Sequence, residues 1–317
     1  MESMIKKIPV PIAGLALALA ALGNLFLSYG AIYKNIFGAI SALILILLII
    51  KIFIDSKGVL ESLKNPVVAS VTPTFSMCLM LLSNYIKPYL PTISFGVWIF
   101  ALLLHCFLII YFTVKFIFKF DMKKVFPSYF IVYVGIVVGS ITAPTYGLFN
   151  LGKGIFWFGF IAYLCLLPII VYRMLIIKAI PEAALPTITV LAAPASLCLA
   201  GYIGSFQEKS MAMIGFLGIL SLVMFLGVIL YLPKMLKIKF YPSYSAFTFP
   251  LVISAIAIKQ TNGLLIKMGR PIYLLKYLVG FQEILAFLIV IYVLINYFKF
   301  IFLNDSTSID SKATKAM

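Results

Sequence analysis

The chain has 317 residues, of which 64% are apolar and only 11% are charged, and its formal net charge is +16. A soluble domain carries about 25% charged residues and needs a polar surface, so this composition excludes a soluble enzyme, a nucleic-acid-binding module and a disordered chain. The positive charge then indicates the cytoplasmic side of a membrane protein or a preference for an anionic partner.

Ten mainly apolar segments are each long enough to cross a bilayer as a helix, which takes about 20 residues. They run approximately over 9–29, 36–54, 66–86, 93–118, 127–146, 154–177, 186–205, 212–232, 242–261 and 272–303. Lys6 and Lys7 before the first segment also resemble the start of a signal peptide, but that segment belongs to the repeat described next. We predict an all-α integral membrane protein with one ten-helix domain, 1–303, and a polar cytoplasmic tail, 304–317.

A repeat organises the ten segments. Five times, a basic stretch leads to a proline that opens an apolar segment, and successive openings lie 54–61 residues apart. The opening residues are Pro9, Pro66, Pro127, Pro181 and Pro242. This spacing fits one helical hairpin with its loops, so the sequence predicts five tandem hairpins.

Helix-breaking residues recur inside the odd-numbered segments, seven or eight residues after an opening proline. They are Pro73, Gly135 and Pro250. Pro194 fits the same spacing when it is measured from Pro186, a second proline near the start of the seventh segment. A proline inside a helix removes a backbone hydrogen bond, which hydrocarbon tolerates only where other protein groups or a cavity satisfy the freed carbonyl. We predict that the odd-numbered segments surround a central pore, although ordinary irregularity of membrane helices gives a similar pattern.

Lysine and arginine are unequally shared between the two sides of the predicted bundle. The side of the termini holds seventeen and the opposite side holds eight. This bias predicts a plasma-membrane protein with both termini in the cytoplasm. The eight external residues are Lys34, Lys87, Lys153, Lys209, Lys259, Lys267, Arg270 and Lys276.

Acidic residues are absent from the five odd-numbered segments, since Glu182 only precedes the seventh. A cation pathway would favour acidic rings, so a carboxylate-free pathway with cationic mouths indicates a small inorganic or organic anion as cargo. Lys259 lies roughly 26 Å along its helix from Pro242 at 1.5 Å per residue. It is expected at the external mouth, where it either attracts anions or extends to the membrane surface as an ordinary interfacial lysine.

Two ionisable residues fall at mid-depth, His105 in the fourth segment and Glu283 in the tenth. Hairpins two and five do not touch if the hairpins follow one another round a ring. We therefore expect no direct pair between them, and we expect Glu283 to bond across a helix interface or a subunit contact. The single histidine and four cysteines in apolar runs predict no metal, no cofactor and no enzymatic centre.

Short motifs in the odd-numbered segments resemble the tellurite-resistance/dicarboxylate transporter family, which includes bacterial TehA, malate permeases, sulfite exporters and the plant slow anion channels. The resemblance covers nearly the whole chain. It rests on Pro9-Val10-Pro11-Ile12-Ala13-Gly14, Asn65-Pro66, Thr72-Pro73-Thr74, Phe126-Pro127-Ser128-Tyr129, Ala193-Pro194-Ala195 and Ser245-Ala246-Phe247-Thr248-Phe249-Pro250.

The resemblance implies five inner helices around a pore that a phenylalanine of the ninth helix closes. Phe249 matches that gate, and Gly14 and Phe247 join the helix breakers as expected pore residues; without the resemblance, core or lipid packing would explain Phe249 as well. A homotrimer with one pore in each subunit is also implied. The family's first-helix proline and glycine are replaced by Ala16 and Ala18, so anion selectivity does not transfer directly.

Three hypotheses follow for the function. The first is a passive anion channel or uniporter gated by Phe249. The second is a proton-coupled carrier of C4-dicarboxylates such as malate that uses His105 or Glu283, with a sulfite or oxyanion exporter as a further transport alternative. The third is a membrane enzyme or sensor, which would need a polar catalytic cluster that the sequence does not contain.

Overall fold

The structure is a computed structural model that describes residues 2–178 and 180–303. Within these ranges it is helical, without a β-strand, and nine helices are long and apolar enough to cross a membrane. We number the spans α1–α10 and reserve α5 for the fifth predicted span. The nine helices are α1 (Ile12–Tyr29), α2 (Ala31–Ile54), α3 (Pro66–Ile86), α4 (Pro91–Ile117), α6 (Phe149–Ile177), α7 (Glu182–Ser205), α8 (Met211–Met235), α9 (Pro242–Lys267) and α10 (Tyr273–Leu303).

The fifth predicted span, 127–146, is a series of short helices between residues 129 and 146. Its helical pieces are Tyr129–Tyr133, Val137–Thr142 and Ala143–Tyr146. The interruption centres on Gly135, where a Cβ atom would collide with the Ile131 carbonyl oxygen and lie 2.7 Å from Met77 Sδ of α3. The backbone of the break itself therefore requires glycine. This broken segment is α5.

Consecutive spans form the five predicted hairpins, because each odd-numbered span packs against the even-numbered span that follows it. The odd-numbered spans also pack against one another, in the order α1, α3, α5, α7, α9 and back to α1. They form a closed inner ring, and the even-numbered spans lie outside it.

Burial separates the two sets of spans. In the apolar stretches of α1, α3, α7 and α9, 61–89% of the residues are buried inside the protein, against 22–39% in the even-numbered spans. Most side chains of α5 are also buried. The predicted inner position of the odd-numbered spans is confirmed, and the apolar outer faces of the even-numbered spans are the surface that lipid would cover.

Span boundaries agree with the predicted ones to within three residues except in α2, α6, α7 and α9, and α2 and α6 each begin five residues earlier than predicted. α7 begins at Glu182 because a 3₁₀ helix already starts there, before Pro186. Glu182 is therefore the first residue of an odd-numbered span and does not precede it as predicted. Its side chain is exposed at the end of the span and accepts a hydrogen bond from Tyr241 at 3.0 Å. α9 continues past its predicted end at Thr261 to Lys267.

Short helices lie on the side of the termini, where the basic stretches precede the opening prolines. They are Glu2–Lys7, Ser56–Ser62 and Met122–Lys124. Lys51 at the end of α2 donates to the Lys6 carbonyl at 2.6 Å, which ties the first short helix to the bundle. Asn65 caps α3 by accepting from the amides of Val67 and Val68. The predicted tail, 304–317, lies outside the described residues.

Candidate functional site

A cavity lies where the five inner spans meet. About 30 Å³ of it is open to the centre of a water-sized sphere, whereas one water molecule needs roughly 10–15 Å³. Every residue of its wall belongs to an odd-numbered span. The wall consists of Gly14, Val71, Thr74, Met77, Phe130, Ile131, Val134, Gly135, Val190, Ala193, Pro194, Leu197, Ser245, Ala246, Phe249 and Pro250.

The inner spans change their helical geometry at the level of the cavity. α3 is interrupted at Pro73, which caps the helix that restarts at Thr74. α7 and α9 begin as 3₁₀ helices and become α-helical at Ala193 and Phe249. Proline is tolerated in the first turn of a helix because its missing N–H would have no intrahelical partner there. This is the position of Pro194 and Pro250, so the predicted helix breakers mark restarts of the α-helix.

Three of these restarted helices have their N-terminal ends at the cavity wall. They are Thr74–Ile86, Ala193–Ser205 and Phe249–Lys267. In α7 and α9 these ends are not free, because a 3₁₀ helix leads directly into each and the amide at each junction already bonds within the span. None of the wall residues carries a charged side chain.

Phe249 forms part of the wall, and its side chain is nearly buried, with 7% of its surface exposed. α1 and α9 approach each other closely beside Phe249. A Cβ atom at Gly14 would lie only 3.2 Å from Ser245 Cβ. Thr248 donates to the Ser245 carbonyl at 2.6 Å and approaches the Gly14 carbonyl at 3.3 Å. These contacts fix the backbone on which Phe249 is mounted.

Two other predicted residues lie beside the cavity and do not form its wall. Phe247 is fully buried and packs edge-on against Tyr244, with ring centroids 5.1 Å apart. Pro73 caps the helix whose first residue, Thr74, does form the wall. The wall hydroxyls of Thr74 and Ser245 donate to backbone carbonyls in their own spans.

Lys259 is paired with an acid. Its Nζ lies 2.6 Å from Glu283 Oε1 of α10, and it also donates to the Leu25 carbonyl at 2.9 Å and to Ser28 Oγ at 2.7 Å. Tyr29 donates to the second oxygen of Glu283 at 2.7 Å. This cluster joins α1, α9 and α10, so the prediction that Glu283 bonds across a helix interface is confirmed. The charge of Lys259 is offset in this arrangement.

His105 connects the breaks of α3 and α5 from the outer span α4. Its ring is fully buried, with Nδ1 2.9 Å from Ser76 Oγ and Nε2 3.1 Å from the Val132 carbonyl. Because the first helix of α5 ends at Tyr133, the Val132 carbonyl lacks the partner that a continuous helix would supply. Nε2–H donates to this carbonyl in the neutral ring, and Nδ1 faces the Ser76 hydroxyl, which also reaches the Pro73 carbonyl at 2.8 Å. His105 does not pair with Glu283, as predicted.

Replacing His105 with leucine is expected to lower the free energy of unfolding by about 1–3 kcal/mol, because the buried Val132 carbonyl loses its donor. Thermal unfolding in detergent micelles measures the effect. Leu103→Ala on the exposed face of α4 is the matched control and should change stability by less than about 0.5 kcal/mol. A leucine variant as stable as the wild type would contradict this role.

The sequence missed the partners of both residues that it placed at mid-depth, and Glu283 lies instead at the level of Tyr29, the last residue of α1. Lys259 and Glu283 lie nearly symmetrically about the connection between α9 and α10, so the hairpin brings them to the same level. That symmetry is a signal the sequence contains. The contact of His105 with Val132 depends on the break in α5 and has no comparable sequence signal.

The helical ring and its cavity define a multi-pass membrane protein whose inner spans enclose a site free of charged side chains. A family model described as voltage-dependent anion channel, SLAC1, matches residues 8–298. The chain belongs to this family, which includes the TehA-like proteins, so the predicted resemblance is confirmed and the function class is that of an anion channel or transporter. A comparison with curated proteins found no match.

Proposed function

We propose that the protein is a channel for small anions, which pass between the five inner spans and are stopped by Phe249 in the closed state. The observation that carries this proposal is the cavity itself, because its wall comes from the inner spans alone and includes Phe249. The family match supports anions as cargo.

Electrostatics at the wall favour an anion over a cation. No carboxylate of the described residues belongs to the wall, so an anion meets no fixed negative side chain there. An apolar wall excludes a hydrated ion until it widens. A movement of the Phe249 ring is therefore the proposed opening step.

Orientation, location and assembly form part of the same proposal. The excess of lysine and arginine on the side of the termini supports a cytoplasmic location for both ends. We infer a plasma-membrane protein that assembles as a homotrimer with one pathway in each subunit. Crosslinking in native membranes tests the assembly, and a reporter fused to each terminus tests the orientation.

A flux panel in proteoliposomes tests the function directly. Chloride, nitrate, sulfite and malate are supplied in turn, with and without an imposed pH gradient. We expect passive flux of at least one small anion that does not depend on the pH gradient, because neither His105 nor Glu283 belongs to the cavity wall. Flux that requires the gradient would favour the proton-coupled dicarboxylate carrier. Flux of sulfite alone would favour an oxyanion exporter.

A further inference from the structure

Four lysines on the side opposite the termini are each held over an aromatic ring at the end of an inner span. Lys259 Nζ lies 4.9 Å from the ring centroid of Tyr29, Lys34 lies 4.7 Å from Tyr85, Lys87 lies 5.3 Å from Tyr146 and Lys153 lies 5.8 Å from Phe206. Tyr29 and Tyr146 are the last residues of α1 and α5, Tyr85 is the next-to-last residue of α3, and Phe206 follows α7. We call the four lysines the collar.

Each pair in the collar joins two different hairpins. Lys34 joins hairpins one and two, Lys87 joins two and three, Lys153 joins three and four, and Lys259 joins five and one. The cation–aromatic pairs on the other side of the bundle are local, since they link residues at most four positions apart. The collar therefore follows the ring of inner spans and marks its mouth.

The collar lies where an anion would otherwise be repelled. The C-terminal end of a helix presents unpaired carbonyls and a partial negative charge, and the ends of α1, α3, α5 and α7 meet at this mouth. Lys87 donates to the Thr145 carbonyl and Lys259 donates to the Leu25 carbonyl, so both offset this charge directly. An aromatic face also holds an ammonium group in place.

Three of the four collar charges have no acidic partner. Lys259 is neutralised by Glu283. No carboxylate of the described residues lies within 4.0 Å of Lys34, Lys87 or Lys153, and each of these side chains is half-buried. Positioned charge at the mouth of a pathway raises the local concentration of counter-ions.

We propose that Lys34, Lys87 and Lys153 form an anion-capture site at the external mouth of the pathway, held in position by Tyr85, Tyr146 and Phe206. Its ligand is a small anion of any shape, since the site offers separate ammonium groups and no rigid pocket. The inference rests on the proposed anion pathway. It adds a second binding site for the anion, separate from the cavity at Phe249.

The test replaces the three lysines together with glutamine and measures anion flux from the external side at two salt concentrations. At about 0.01 M salt, where charges act over about 30 Å, we expect the flux to fall about three- to ten-fold. At about 1 M salt, where they act over about 3 Å, we expect a change of less than about two-fold. A purely structural role would not depend on salt in this way.

Matched variants separate charge from folding. Lys267→Gln, Arg270→Gln and Lys276→Gln together remove the same charge from the same side, at exposed residues outside the collar, and should change the low-salt flux by less than about two-fold. Replacing the three collar lysines with arginine keeps both the charge and the stacking and should preserve the flux. Single glutamine substitutions, which leave the other contacts intact, should each lower the low-salt flux by about two-fold.

The outcomes separate this inference from the proposed function. If the wild-type protein carries no anion, the proposed function is wrong and the inference falls with it. If the wild-type protein carries anions and the collar variants match it at low salt, the inference alone is wrong. An equal loss in the collar variant and the exposed control would also overturn it, because the effect would then be one of general surface charge.

Discussion

Replacing Phe249 with alanine is expected to raise anion flux through purified protein in liposomes or planar bilayers by about ten-fold or more, because it removes the apolar side chain that narrows the cavity. The ring of Phe249 belongs to the wall at the point where α9 becomes α-helical. Alanine there widens an apolar constriction and lets water and ions enter. The effect should appear for every anion that the wild-type protein carries.

Phe247→Ala is the matched control for this prediction. Phe247 precedes the gate by two residues, but it is fully buried against Tyr244 outside the cavity wall. Its truncation should lower the free energy of unfolding by about 3–5 kcal/mol through the space it leaves, without opening the pathway. Unchanged flux in a folded Phe249→Ala protein, or an equal rise in flux in Phe247→Ala, would show that Phe249 is not the gate.

The second large effect is expected at the ion pair between α9 and α10. Lys259→Met leaves the carboxylate of Glu283, whose side chain is 5% exposed, with Tyr29 as its remaining hydrogen-bond donor. Removing one partner of a buried pair typically costs about 3–5 kcal/mol. We expect a loss of this size in the free energy of unfolding, measured by denaturant titration in mixed micelles.

Further variants, of the partner Glu283 and of an exposed ion pair, test the cause of this loss of stability. Glu283→Gln should cost less, because the Lys259 side chain is 29% exposed and keeps its bonds to Leu25 and Ser28. The double variant should recover part of the loss, since it leaves no unpaired carboxylate. Lys64→Met breaks an exposed pair with Glu61 and should cost about 1 kcal/mol or less. Equal losses for Lys259→Met and Lys64→Met would contradict the prediction.

The recurring prolines were sufficient to predict that the helices form tandem hairpins, without knowledge of any tertiary contact. Hydrocarbon provides no hydrogen bonds, so a chain this apolar has to form helices of about 20 residues, and regular spacing of opening prolines predicts tandem hairpins. The same constraint makes helix breakers inside a membrane span costly unless protein surrounds them. This is why Pro194 and Pro250 indicated the inner spans correctly, and why those spans are the buried ones.

The sequence did not determine which residues face the cavity or which charges are paired. Phe247 and Phe249 lie two residues apart in the ninth span, yet only Phe249 belongs to the wall, because the change from 3₁₀ to α-helix in α9 sets the direction of each side chain. Periodicity within one helix cannot give that direction.

Pairing of the external lysines was also decided by the fold. The charge distribution predicted that Lys34, Lys87 and Lys153 lie on one side of the membrane and that Lys259 lies at the external mouth of the pathway. The ring of hairpins brings each of them onto an aromatic residue of a neighbouring hairpin and, among the described residues, gives only Lys259 an acidic partner. The sequence alone thus determined the helical membrane-spanning class, the five hairpins and the inner set. Tertiary structure decided which charges remain unpaired at the mouth of the pathway, because pairing depends on contacts between residues far apart in the chain.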